Sequence, residues 1–278
     1  MKRSFLFFLC IASVSYSQTE LVNPSSVSQE KKKGNFYALW GYTRCWFSKS
    51  DIHFKDRSNT YHEVTGRYND YDFTIYDAKA KDRPDFNQIK DVANITIPQF
   101  VLHIGYYFNN KQDIGVEFNY DHAKYVVVNN HTVRVKGSFN GQYVDKDTIL
   151  DPDNFLHFEH TDGANFFMLN FLKRWKLYEP SSKFNLGYVV KPGAGIVVPK
   201  TDVTIFGERL NNKYHVAGWI AGIETGLRCE FLKHGVFELT GKGVFADYRN
   251  SLVIGKGNGS ASHHFFAAQL TMTLGVMF

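Results

Sequence analysis

The sequence predicts an all-β protein, an eight-stranded antiparallel transmembrane β-barrel with long extracellular loops. Three observations predict it. Apolar residues recur with a period of two through segments of about ten residues or more, the repeat of a strand and not of a helix. Short and long links alternate strictly between those segments, as the turns and loops of a small outer-membrane barrel do. No run of 18 or more apolar residues occurs, so no transmembrane helix is expected.

The chain has 278 residues, 44% apolar and 16% aromatic. Its start reads as an address. Lys2 and Arg3 form a positive region, Phe5 to Ala12 is apolar, and Ser15-Tyr16-Ser17 precedes a cut at about Gln18. That is a secretory signal peptide over residues 1–17. Cys10 follows Leu9 inside the apolar stretch, which does not suit a lipid anchor. Residues 18–34, with Ser25-Ser26 and Lys31-Lys32-Lys33, read as a polar periplasmic tail, and 35–278 as the barrel. The formal net charge is +5; removing Lys2 and Arg3 leaves 30 bases against 27 acids, a net of +3. So balanced a chain argues against a nucleic-acid partner.

The strands are expected at 35–47, 99–108, 113–127, 165–177, 184–198, 215–232, 236–248 and 262–278. Short turns at Asn109–Gln112, Tyr178–Ser182 and Lys233–Gly235 put both termini on one side. The long links are 48–98, 128–164, 199–214 and 249–261. Within the first, residues 71–81 pair as a hairpin with 50–56; within the second, 133–145 form another. Pro192 is the one proline inside a strand and should interrupt its ladder. In the last strand Phe278, Val276, Leu274, Met272, Leu270, Ala268 and Phe266 share one face, while Gly275, Thr273, Thr271, Gln269 and Ala267 share the other. A soluble sandwich would bury the first face; a membrane barrel would bury the second. Periodicity leaves both open, and link length favours the barrel.

Inward positions carry five acids, Glu117, Asp121, Glu224, Glu230 and Glu238, against five bases, Arg174, Lys176, Lys191, Arg228 and Lys242. A lumen of this size is filled by side chains, and buried charges there must pair. Lys191, Glu224 and Lys242 fall at one height on consecutive strands, so Glu224 is expected between the two lysines. Gly41, Gly105, Gly115, Gly187, Gly193, Gly195, Gly218, Gly222, Gly226 and Gly275 also face inward and leave room for long side chains. These glycines lie in strand context, so no nucleotide or other cofactor is expected. Trp40, Trp46, Trp175 and Trp219, with Tyr37, Tyr42, Tyr106, Tyr120, Tyr178 and Tyr188, suit interfacial girdles. Cys45 and Cys229 fall on non-adjacent strands, and no disulfide is expected.

Two chemistries remain open at the outer rim. Ser262 and His264 share an outward face, and Asp247 is expected nearly opposite Ser262, the ingredients of an activated nucleophile. His122, His160, His215, His263 and His264 lie near the mouth beside Asp121, Glu159 and Asp162. No cysteine is close to them, and no metal is expected.

The closing string LTMTLGVMF resembles the C-terminal signal read by the outer-membrane barrel-assembly machinery, with Leu270, Leu274 and Phe278 as the residues it would engage. The layout resembles small bacterial outer-membrane barrels in general. SDIHFKD, YDFTIYDAKAKDRP and DHAKYVV are similar to strings in a group of Bacteroidota outer-membrane proteins. The resemblance implies an outer-membrane location, with membrane lipid and lipopolysaccharide as neighbours; it names no surface ligand and no activity. The rim set resembles in kind the lipid A deacylase barrels, whose motif runs His-x-Ser with a following Asn; here the order is Ser-x-His without that Asn. Three functions stay in competition: a plugged barrel with a structural or binding role through its loops, a lipid-modifying hydrolase, and a narrow passive pore.

Overall fold

The computed structural model describes residues 35–278 apart from 57, 59–60, 63–65, 69, 84–98, 109–112, 140, 161, 182 and 255–258. The expected signal peptide, the tail and the turn at 109–112 lie outside the described residues. Every pairing is antiparallel, and the described residues contain no helix.

The chain begins with β1 (Asn35–Phe47). The first long link then holds β2 (Ser50–Asp56), β3 (Tyr61–His62), β4 (Arg67–Tyr68), β5 (Tyr71–Ala78) and β6 (Ala80–Lys81). After β7 (Phe100–Tyr107) and β8 (Ile114–Asp121), the second link holds β9 (Tyr125–Val127), β10 (Thr132–Phe139), β11 (Gln142–Ile149) and β12 (Leu156–His160). The chain continues through β13 (Phe166–Ser181) and β14 (Phe184–Val197), then β15 (Asp202–Ile205) and β16 (Glu208–Asn211). It ends with β17 (Gly218–Phe231), β18 (Gly235–Leu252) and β19 (Ser260–Met277).

The long strands pair in succession: β1 with β7, then β8, β13, β14, β17, β18 and β19. β1 also pairs with β19, Tyr37 opposite Met277 and Trp46 opposite Ala268. The ladder between β13 and β14 skips 171–172 opposite 191–192 and resumes in the same register, as Pro192 without its N–H requires. Cys45 sits on β1 and Cys229 on β17, which do not pair, and both thiols are free.

Several boundaries differ from expectation. The segment 113–127 is not one strand. Alternation stops after Asp121, and Tyr125, Val126 and Val127 are all buried. They form β9 in a different sheet, since a continuous apolar run suits a strand covered on both faces. β18 and β19 extend beyond 248 and before 262, with a register shift between Tyr248 and Ser251. β13 runs on to Ser181, also with shifts in its pairing.

The long links are folded. β2 pairs with β5, Phe54 opposite Phe73, and β10 with β11, in the two hairpins expected there. Sequence did not foresee how they join. β2 also pairs with the upper end of β19, Phe54 opposite Ala261, and β5 pairs with β10. The order β19-β2-β5-β10-β11 thus carries the main sheet onward. A second sheet runs β16-β15-β12-β9-β6. One apolar cluster joins them, with Phe54, Phe73, Ile75, Phe158, Val203 and Ile205 all buried beside Tyr125, Tyr248 and Phe265.

Candidate functional site

Burial along β19 decides which face is which. Thr271, Thr273, Gln269 and Ala267 are buried, while Phe266, Leu270, Met272 and Leu274 are 50–66% exposed. The small and polar face is the inside. Trp40, Trp46, Trp175, Trp219, Tyr178 and Tyr188 are likewise exposed. Tyr37 corrects the girdle expectation: it is buried, because its place on β1 aims it inward, where its hydroxyl donates to Glu117 at 2.5 Å.

The interior is layered. Near the chain ends Tyr37, Leu39, Tyr107, Leu172, Val236 and Met277 form an apolar cluster. Above it lies a charged layer set by register. Glu224 stands opposite Lys191 on β14 and opposite Lys242 on β18. Lys191 Nζ reaches Glu117 at 2.9 Å, Glu224 at 3.1 Å and Glu238 at 2.7 Å. Lys242 Nζ reaches Asp121 at 2.6 Å and Glu224 at 3.2 Å. Arg228 Nε donates to Glu238 at 2.5 Å, and its guanidinium lies 4.1 Å from the centre of the Tyr37 ring. Arg174 forks onto Glu230, at 2.7 and 2.9 Å, the bidentate geometry that planar guanidinium favours. Asn119 and Thr240 donate to the remaining valences of Glu224 at 3.0 and 2.8 Å.

Lys176 does not belong to this layer. It is exposed near the end of β13 and pairs with Glu179 at 2.9 Å. It keeps the parity of Arg174 and stands opposite Gly187, but lies past the end of the β8 ladder at Lys173, where the neighbouring strand no longer covers it. His103 was missed. It is fully buried, with Nδ1 at 3.6 Å from Glu117 and 3.9 Å from Glu238, and Nε2 at 4.0 Å from Asp121. The available signal was its inward parity on β7, opposite Leu39 and Asn119. His103, Glu224 and Glu238 present ligand atoms within 4.8 Å of one another. The Lys191 ammonium already sits against both carboxylates, so the cation at this point is a side chain.

The rim residues separate into two contacts. Asp247 lies opposite His264, not Ser262, and Ser262 lies opposite His53. The link closes with Leu252 already opposite Ser260, so it is centred later than expected and the rim register moves with it. The Asp247 carboxylate accepts from Trp219 Nε1 at 2.9 Å and Arg249 Nε at 2.8 Å. Among the described residues no hydrogen bond links Ser262 with His264.

His160 and His263 meet where the strands run into the links, Nε2 to Nε2 at 3.3 Å. Thr201 Oγ1 lies 3.1 Å from His160 Nδ1, and Tyr248 stacks on both rings at 5.1 and 4.8 Å. Burial pushes His160 down to about 3, so its imidazole is neutral. Asp82, after β6, accepts from the Cys45 backbone N–H at 2.7 Å on the upper stretch of β1, beyond its ladder with β7. Burial pushes its carboxyl up to about 6.

No known protein family matches the chain, and no curated protein is similar to it. It is similar to solved bacterial surface proteins. The outer membrane protein OprG from Pseudomonas aeruginosa shares 12% identity over 89% of this chain and 97% of that one, with a TM-score of 0.38. Neisserial surface protein A shares 10% over 88% and 100%, with a TM-score of 0.36. Ail, the attachment invasion locus protein of Yersinia pestis, shares 11% over 88% and 99%, with a TM-score of 0.31. Such identities map no residue of one chain onto another, and the functional reading stays with this chain's own side chains.

Proposed function

We propose that the chain is an eight-stranded outer-membrane β-barrel. Its lumen is plugged by its own charges, and its folded links form an extracellular cap with a structural or binding role. The observation that carries the reading is the inverted burial of β19, apolar face outside and threonine face inside. In water that arrangement would expose a contiguous apolar belt, which soluble proteins avoid; in a bilayer it is the stable one. The pairing of β1 with β19 supports a ring of eight strands. The signal peptide, the assembly signal at Leu270, Leu274 and Phe278, and the Bacteroidota likeness belong to the same reading.

The plugged layer weighs against a pore. For the rim hydrolase, Asp247 faces His264, yet its carboxylate is held by Trp219 and Arg249. Cell fractionation tests the proposal. The chain is expected in the outer-membrane fraction, migrating faster on gels before boiling than after. Recovery in the soluble periplasmic fraction would overturn it.

A further inference from the structure

The outer wall carries glycines of two kinds. Inside, a methyl on Gly41, Gly218, Gly222 or Gly226 would run into the backbone of the neighbouring strand, so packing requires glycine there. Gly243 is different. A methyl at that position meets nothing within 4 Å. A strand glycine with no internal reason is less stable there than alanine and often marks a place where something else approaches the backbone.

Gly243 lies in a groove of about 640 Å³ on the outer wall. Register sets its floor, with Ile223, Gly243, Ala268 and Trp46 in one row across β17, β18, β19 and β1. Phe245 and Phe266 wall the side towards the cap. The upper end of the groove is Ser48, and the next residue, Lys49, lines a second groove of about 450 Å³ with Lys79, His131 and Arg134. Asp77 and Asp147 line it too, and Arg134 is engaged by Asp145 and Asp147 at 2.7 and 3.4 Å. Lys49 and Lys79 have no ion-pair partner among the described residues.

We propose that the two grooves form one site for a phosphorylated, multi-acyl glycolipid of the outer leaflet. An acyl chain lies over Gly243 and Ala268, and a phosphate is held by Lys49 and Lys79. The proposal rests on the outer-membrane reading. Two points favour lipid over a second copy of the chain. In a two-fold contact the concave floor would face its own copy, and neither would fill the other. Lys49 and Lys79 together suit a phosphate, whereas a second copy would bring the same lysines along with Asp77 and Asp147.

Native mass spectrometry of the full chain in detergent tests this, with three probes: bisphosphorylated lipid A, the same lipid without phosphates, and dioleoylphosphatidylethanolamine. The bisphosphorylated lipid is expected to stay bound under activation that strips the other two. Gly243→Leu fills the groove from outside without crowding the wall, and should lower retention about tenfold, as should Lys49→Glu with Lys79→Glu, the scale of losing one or two charge-assisted contacts. Faster migration before boiling verifies that each variant is folded. Equal retention of the dephosphorylated lipid, or unchanged retention by folded Gly243→Leu, overturns the site. A protein dimer lost in Gly243→Leu overturns it in favour of a second copy. A chain absent from the outer-membrane fraction overturns the location; a chain present there that retains no lipid overturns the site alone.

Discussion

Lys191 is the side chain on which the charged layer depends. Three carboxylates meet its single ammonium, and all four groups are buried. Removing one partner of such a cluster leaves the others as uncompensated buried charge, which costs about 3–5 kcal/mol. Lys191→Met keeps the side-chain length and discards the charge. It is expected to lower unfolding stability by that amount, read from the urea midpoint of the chain refolded into detergent micelles. The double change Lys191→Met with Glu238→Gln should recover part of the loss. The row from Lys191 through Glu224 to Lys242 was legible because a period of two and a count from the turns fix both face and height. His103 was not, since a lone histidine among aromatic residues carries no sign of the acids that the next strands bring to it.

At the scale of the element, sequence spoke clearly for strands and weakly for links. Strand segments show their faces through alternation, so their existence and partners could be reasoned out. The end of β8 could not, because Tyr125-Val126-Val127 continues the apolar string while leaving the sheet. The hairpins β2–β5 and β10–β11 were legible from local pattern. Their joining through β5 and β10 was not, because that pairing connects residues from two different links and no local signal encodes it. The seam where these links meet the long strands has its own pH response. His160 stays neutral in the fold, titrating at about 3, against an ordinary histidine near 6.5 in the unfolded chain. The unfolded state therefore takes the proton first. Stability is retained above about pH 6.5 and falls by about 1.4 kcal/mol per pH unit below it, down to the folded value. Limited proteolysis of the links should accelerate between pH 6 and 4, a window chosen from these shifts, and His160→Gln should flatten that dependence.

For the whole molecule, the decisive property is how the interior is filled. An apolar cluster lies beneath the charged layer and the aromatic core lies above it. In the proposed barrel a hydrated path would have to displace paired charges as well as packed rings. Planar bilayers holding the chain are expected to show no conductance steps above baseline; regular steps at neutral pH would return the pore to consideration. The inversion of inside and outside was the one global property that periodicity could not decide, since an alternating strand reads the same in a sandwich and in a barrel.

The last strand also dictates an order of events. β19 is the most C-terminal element, yet it borders β18, β1 and β2. The sheet built from the first and second links is anchored on its upper end, so that sheet has no wall to grow from until β19 is in place. Contacts between such distant parts of a chain form slowly. The strands of the first link are then among the last to be locked, and the edge of β2 must be kept from other partners until β19 pairs with it. Loss of the final strand would therefore unfasten both ends of the molecule at once.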